Sequence, residues 1–363
     1  MVTEMKPVFR PTYVTAPGAT LVENLDFLQM SQREFADRVG LTPKTINEIA
    51  KGIAPITPET AIKFEHVLGV PASFWISLES KFQEHLAQKK ELEVVSKSAT
   101  ILEKFPVKEL IERGLLPKGD SDASTLTRLM AFFNVGSPKA LESYCMKLAA
   151  NFRAAKNPKR SPFAVASWIQ IGKRRADSIK TKPFNKTAFR VALSNIRSLT
   201  SQRPEKFVPA LTNECAKVGV AVVFEPELKH TSLSGITCWA TKDKALLQLS
   251  LRYKSNDHLW FTFFHESAHL LMHNKKEIFV HELGEKNQNE KEVEADLFSR
   301  DFLIPKAEFG RLLKKKVTKD WIREFSNSIG IAPGVVVGRL QHDGHITHAE
   351  HNDLKEYYQW SHD

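Results

Sequence analysis

Apolar residues recur at helical spacing along most of the chain and change to β-type runs in one region only. Between 21 and about 90, short amphipathic stretches alternate with tight turns, which predicts a set of short helices. Between about 91 and 210 the helical spacing continues, as in TLTRLMAFFNV (125–135) and ALESYCMKLAANF (140–152), with breaks at LLPKGDSD, AKNPKRSP and TKPFN. Three runs rich in Val, Ile, Thr and aromatic residues follow: GVAVVFEPEL (219–228), LSGITCWA (233–240) and ALLQLSL (245–251). Helices resume to about 340, and a histidine-rich tail ends the sequence. The expected fold class is multidomain and mainly α, with a small antiparallel β-sheet. Its expected parts are an arm (1–20), an all-α domain (21–90), a basic helical linker region (91–210), an α+β domain (211–345) and a tail (346–363).

The stretch MSQREFADRVGLTPKTINEIAKG (30–52) encodes two helices and the turn between them. Ser31 can cap the first, with Glu34 completing a capping box. Ala36 is small where the second helix must approach, and Gly40 supplies the left-handed residue that ends the first. Thr42 caps the second helix, Pro43 takes its first position, and Ile46 and Ile49 fall on its inner side. This is a helix-turn-helix pattern, whose second helix can enter the major groove of double-stranded DNA. Lys44, Thr45, Asn47 and Glu48 are the candidates to face DNA, and Gln32 and Lys51 to touch phosphates. The competing reading, a small helical interaction module, draws on the balanced charge of residues 1–90, with 10 basic and 10 acidic side chains. With ITPETA (56–61) and GVPASFWISLE (69–79) added, residues 20–90 resemble the HigA-like antitoxin branch of the Xre-type repressors. That resemblance implies a five-helix domain, a homodimer formed through it, and binding to an operator or the protein's own promoter.

FTFFHESAHLLMH (261–273) raises a different question, because it is a helix almost wholly apolar apart from its histidines and one glutamate. Unpaired buried charge is costly. His265 and His269 are one turn apart, so both rings leave the same face and can hold one metal ion, while Glu266 can reach a metal-associated water. Zn2+ satisfies such a set, and a catalytic zinc site needs a third protein ligand and one open position. NEKEVEADLFSRDFLIP (289–305) offers Glu290, Glu292, Glu294, Asp296 and Asp301, with Val293, Leu297 and Phe298 marking the expected buried side. Glu294, one turn before Phe298, is assigned as the third ligand, whereas Glu290 and Glu292 read as solvated. Asp296 or Asp301 is the candidate to orient a ligand histidine. With that set closed, His273 and His281 are not required as ligands. His342 in RLQHDG is the candidate donor to an oxyanion, with His345 and His348 given structural or solvent-exposed roles. ALLQLSL is read as an edge strand, available to an extended substrate or simply a sheet edge. DWIREFSNSIGIAPGVVVGRL (320–340) also mimics a helix-turn-helix and is expected to pack beside the active site.

FHESAHLLMH, EVEADLFSRDFLIP and IGIAPGVVVGRLQHDG (329–344) resemble the ImmA/IrrE family of zinc metallopeptidases, over about 215–345. The resemblance implies a zincin-like fold and peptide hydrolysis with Glu266 as general base. It also implies a third ligand at the acidic residue before the Ala-Asp step, here Glu294. The order of the two parts resembles known bacterial and phage fusions. The expected function is a zinc-dependent endopeptidase joined to a DNA-binding domain and acting on a repressor-type protein. The alternative is a transcription regulator or antitoxin whose peptidase-like part only senses or binds a partner. Retention of His265, Glu266, His269 and Glu294 favours the enzyme.

Composition adjusts this picture in three ways. The net charge of +10 suits an acidic partner, but residues 91–200 hold 20 basic against 9 acidic side chains and so carry the excess. There it reads either as a solvated helical surface or as a phosphate-contacting one, with RAAKNPKR (153–160) and KRR (173–175) as the densest stretches. No apolar run reaches bilayer length, and the first twenty residues lack a secretion-signal layout. Three scattered cysteines (Cys145, Cys215, Cys238) suggest reduced thiols in a cytoplasmic protein, not a disulfide framework.

Overall fold

The protein's structure is a computed structural model that describes residues 14–151, 160–273, 279–281 and 290–360. It divides into two compact units, Met1–Ser98 and Ala99–Asp363. No helix among the described residues is long and apolar enough to cross a membrane.

The first unit consists of α1 (Pro17–Phe27), α2 (Gln32–Val39), α3 (Pro43–Ala50), α4 (Pro58–Leu68) and α5 (Ala72–Lys97). The arm expected over 1–20 is therefore already helical from Pro17, and residues 1–13 lie outside the described ones. Ser31 Oγ accepts from the Glu34 amide and Thr42 Oγ1 from the Thr45 amide, each at 3.1 Å, so both predicted caps form. The capping box does not close: the Glu34 carboxylate turns to Arg38, one helical turn on, at 2.5 Å. Gly40, at φ 69°, makes the turn between α2 and α3. The inner side is buried through Phe35, Ala36, Ile46, Ile49, Phe64 and Trp75. Phe64 packs 5.0 Å from Phe35 and edge-on to Trp75 at 5.6 Å, which ties α2, α4 and α5 together. At Gly18 a Cβ would lie 2.1 Å from the Ile49 carbonyl oxygen, so α1 can cross the end of α3 only with a glycine there.

The second unit opens with α6 (Val107–Glu112), α7 (Asp122–Phe133), α8 (Pro138–Asn151), α9 (Pro162–Ser178), α10 (Lys186–Arg197) and α11 (Pro204–Ala216). Strands β1 (Val220–Phe224), β2 (Gly235–Trp239) and β3 (Ala245–Leu249) precede α12 (Asn256–Met272), and β4 (Phe279–His281) follows it. The chain continues through α13 (Glu290–Leu303), α14 (Lys306–Leu312), α15 (Lys319–Ile329) and α16 (Pro333–His342). The strand order is β1-β3-β2-β4. The β2–β3 hairpin places β3 beside β1 in parallel, so the sheet is mixed where an antiparallel one was expected. ALLQLSL, expected at an edge, is interior.

Burial explains why these strands read as continuous apolar runs, since both faces of the sheet are covered. Val220, Val222, Ala245, Leu247 and Leu249 join the core formed with Trp260, Phe263 and Phe264 of α12. Ala221, Val223 and Leu246 are buried on alternate positions, where α9 packs. Gly172 of α9 comes so close that a Cβ would lie 1.8 Å from Gln248 Oε1, and Gln248 Nε2 donates to the Trp168 carbonyl at 2.9 Å. Helices α10 and α11 add Phe189, Leu193, Phe207 and Leu211 to the α12 core. The region 91–210 is thus no linker: α5 ends the first unit, and residues from 99 on belong to the second, where α9 and α11 pack on the sheet. Three of its basic residues, the KRR stretch at 173–175, make contacts within the unit while Arg174 and Arg175 stay exposed. Arg174 donates to the carbonyls of Ala131 and Phe132, Arg175 pairs with Glu225, and Lys173 reaches the Tyr144 hydroxyl. Of RAAKNPKR, all but Arg160 lies outside the described residues.

The end of the chain is also structural. Lys355 Nζ lies 2.7 Å from Asp257 Oδ2, with both side chains under a tenth exposed. Tyr357 bridges to Ser255, and the Tyr358 ring packs 5.6 Å from Phe207. The segment expected as a tail therefore clamps the first turn of α12. The helix-turn-helix mimic packs on that same turn. Gly330 (φ 68°) joins α15 to α16, and Gly334 and Gly338 of α16 lie against Asn256 and Asp257 with no room for a Cβ. We expect Lys355→Ala, which leaves Asp257 buried without its lysine, to destabilise the second unit by about 3 kcal/mol, read as a lowered midpoint in denaturant unfolding.

Candidate metal centre

Helix α12 is buried along almost its whole length, and His265 and Glu266 have no exposed surface. The Nε2 atoms of His265 and His269 face each other at 3.0 Å. Glu292 of α13 closes the group, with Oε2 at 3.1 Å from His265 Nε2 and Oε1 at 3.6 Å from His269 Nε2. Among the described residues this is the one cluster of three or more His, Cys, Asp or Glu whose ligand atoms converge. Ligand atoms on a tetrahedral zinc with bonds of about 2.1 Å stand about 3.4 Å apart, so these separations suit such an ion.

The predicted third ligand is corrected by this geometry. Glu294 points away, its side chain 61% exposed, and meets His273 Nε2 at 3.2 Å. The expectation failed on the face of α13. Val293 and Leu297, taken as the buried side, are 43% and 41% exposed. The buried positions are Glu292, Ala295, Ser299 and Leu303, a helical stripe that includes two small residues. Those small residues, where α13 crosses α12, were the signal missed. Ser299 Oγ donates to the Phe261 carbonyl there at 2.8 Å.

Asp296 stands where an orienting group is needed, with Oδ1 at 2.8 Å from His265 Nδ1. Asp301 does not. It faces Arg300, Lys306 and Arg339 on another side of α13. His342 is exposed beside Asp343, and its ring lies 6.4 Å from that of Phe261, which in turn lies 6.2 Å from that of His265. His345 packs on Phe309, and the side chain of His281 lies outside the described residues. On α3, Lys44 and Asn47 are exposed and Thr45 and Glu48 half-buried; Lys51, just past its end, is exposed, and Gln32 is half-buried at the start of α2. Thr45 Oγ1 is also engaged with Thr42 Oγ1 at 2.8 Å.

Comparison with known proteins agrees with this division. Residues 28–75 match the family described as helix-turn-helix, and residues 215–336 match the IrrE N-terminal-like domain of the M78 peptidases. The chain belongs to the helix-turn-helix regulators and carries an IrrE-like peptidase domain. An HTH-type transcriptional regulator of Escherichia coli strain K12, YddM, is 37% identical over 73 residues, which is 20% of this chain and 78% of that protein. Two solved structures also match. One, described as an antidote protein of a plasmid maintenance system from Nostoc punctiforme, is 28% identical over 23% of this chain and 90% of its own, with a TM-score of 0.22. The other, an addiction module antidote protein of a HigA family from Coxiella burnetii, is 29% identical over 24% and 95%, also at 0.22.

The IrrE-like domain holds all three convergent residues, and Glu266 beside them has a special environment. Neither of its carboxylate oxygens has a hydrogen-bond partner, although the residue is fully buried. Gly235 of β2 makes its space, since a Cβ there would lie 3.1 Å from Glu266 Oε1. The Thr237 hydroxyl donates to the Glu266 backbone carbonyl at 3.1 Å and fixes that turn of α12 against the strand. Burial lifts the Glu266 carboxyl to about 8, against the pull of His265. Burial also disfavours charge on His265, but hydrogen bonds to Asp296 and Glu292 outweigh it and raise that imidazole to about 9. Burial dominates at His269 and lowers it to about 4. Burial alone would raise the Glu292 carboxyl, but the two histidines hold it well below the usual carboxylate range.

One stability prediction follows from Glu266. Its folded-state value lies above the ordinary 4.5, so its contribution to stability is full below pH 4.5 and is lost as pH rises towards about 8. Metal-free Glu266→Gln should therefore unfold at a higher temperature than wild type at neutral pH. The gap should be absent near pH 4 and grow up to about pH 8. Parallel melting curves at all pH values would contradict this.

Proposed function

We propose that the protein is a zinc-dependent endopeptidase, cytoplasmic and coupled to DNA, that cuts a repressor-type protein. The observation that carries this is the pairing of a His265–His269–Glu292 cluster with a buried, unpartnered Glu266 at its side. Those three residues would hold Zn2+. When bound, zinc acidifies water and polarises a peptide carbonyl. Glu266 takes the proton from the attacking water and delivers it to the leaving amine. Asp296 holds the His265 ring by Nδ1, which turns Nε2 to where an ion would be held. His342 is the proposed donor to the oxyanion. With β3 interior, an extended substrate would pair along β4, the edge strand beside β2.

The helix-turn-helix domain supports binding to an operator or the protein's own promoter through Lys44, Thr45, Asn47 and Glu48, with Gln32 and Lys51 on phosphates and a homodimer formed through that domain. Three free, buried cysteines fit a reducing compartment. The names of the similar proteins, a regulator and two antidotes, would also suit a regulator whose IrrE-like domain only binds a partner. An unpartnered buried Glu266 is a stability cost that a mere binding module has no use for.

Incubation of the zinc-loaded protein with repressors from neighbouring genes, read by mass spectrometry, should give a discrete cut. Glu266→Gln should keep zinc and abolish the cut, Glu292→Ala should lose zinc, and Glu294→Ala should retain it. Cleavage by Glu266→Gln at the wild-type rate would end the enzymatic reading. Separately, Lys44→Ala combined with Asn47→Ala should weaken binding to the promoter roughly tenfold or more. Failure of wild type to bind that DNA at moderate salt would reduce the first unit to an interaction module.

A further inference from the structure

We propose that His273 is a positioning residue that orients the ligand His269, and that Glu294 in turn sets the tautomer of His273. The inference rests on the metal-site reading above. His273 lies one turn beyond His269, at the end of α12, and its amide donates to the His269 carbonyl at 3.1 Å. The two rings are 5.0 Å apart, with Nδ1 of one 2.8 Å from Nδ1 of the other. On its far side, His273 Nε2 meets Glu294 Oε2 at 3.2 Å. The His273 side chain is 4% exposed, whereas its Glu294 partner is 61% exposed.

With a neutral His273 ring, the contacts fix where the protons of this chain lie. A carboxylate only accepts, so His273 Nε2 must carry the hydrogen given to Glu294. His273 Nδ1, in the neutral ring, is then an acceptor. His269 Nδ1 must be the donor to it, which leaves His269 Nε2 an acceptor turned towards His265 and Glu292. That is the tautomer a metal requires. The arrangement repeats, with one extra residue, the bond from His265 Nδ1 to Asp296. His273 is not a fourth ligand, because it contacts the Nδ1 side of His269 while the ligand atoms converge on the Nε2 side. Glu294 is exposed and water-screened, so its effect should be the smaller.

The test measures Zn2+ affinity by competition with a chromophoric chelator for the full-length wild type, His273→Phe, His273→Asn and Glu294→Gln. Thermal unfolding of each metal-free protein checks the fold. The amide oxygen of Asn stands close to where Nδ1 stands and can accept the same hydrogen. His273→Phe should bind zinc about 10- to 100-fold more weakly. His273→Asn should recover most of that loss, and Glu294→Gln should lose less than His273→Phe. Wild-type affinity in His273→Phe would overturn the inference, as would equal weakening in Phe and Asn, which would mean that packing alone matters. A wild type that takes up no zinc would instead overturn the metal-site reading and this inference with it.

Discussion

A carboxylate buried between two imidazoles from a neighbouring helix is tolerated only if each polar atom has an answer. Glu292 meets that condition through His265 and His269, and the contact locks α13 onto α12. Most of the second unit holds that contact in place. The sheet lies on one side of α12, and Gly235 of β2 lets the Glu266 side chain lie against the strand. α16 and the end of the chain grip the first turn through Asn256, Asp257 and the Lys355 ion pair. α9 covers the far face of the sheet, so the strands that back α12 are themselves buried.

Stability and chemistry conflict at Glu266. A buried carboxyl with no partner costs free energy that a glutamine would largely avoid. The neighbouring charges divide the titratable groups: Glu292 stays ionised, His265 gains a proton readily, and His269 resists one. Two carboxyls on adjacent helices thus differ widely in proton affinity. Glu292 is hydrogen-bonded to His265 and lies 3.6 Å from His269, while neither carboxylate oxygen of Glu266 has a hydrogen-bond partner. That separation suits one carboxylate to hold a cation and the other to carry a proton.

Much of this was legible in the sequence where local rules decide. Ser31, Gly40, Thr42 and Pro43 set the ends of α2 and α3 through capping, which depends on residues three or four apart. His265, Glu266 and His269 were legible for the same reason, since their spacing within one helix fixes their face. Failures came where tertiary contact decides. The antiparallel expectation missed that β3 would pair in parallel with β1, a contact across more than twenty residues. The middle region was expected as a helical linker, yet its α9 packs on the sheet, a contact that no local pattern shows. Glu294 was preferred over Glu292 because it lies one turn before Phe298, in a stripe that also took in Val293 and Leu297. Val293 and Leu297 face outward, Phe298 is only partly buried, and small residues mark the true contact.

The acids of α13 show why spacing alone could not settle the third ligand. Glu292 and Asp296 are four apart, so both lean towards α12: one reaches the Nε2 pair and the other the Nδ1 of His265. Glu294 sits between them in sequence but about 200° around the helix from either. It can reach α12 only at its end, where the chain departs after His273. A single acidic stretch therefore meets three histidines in three ways, as the closing carboxylate, as a direct anchor, and as an anchor acting through another ring. Any of the three acids satisfies a rule of the form acidic residue on a helix near the histidine motif. What separates them is how far along α12 the two helices cross, and Ala295 and Ser299 determine that by letting the backbones approach.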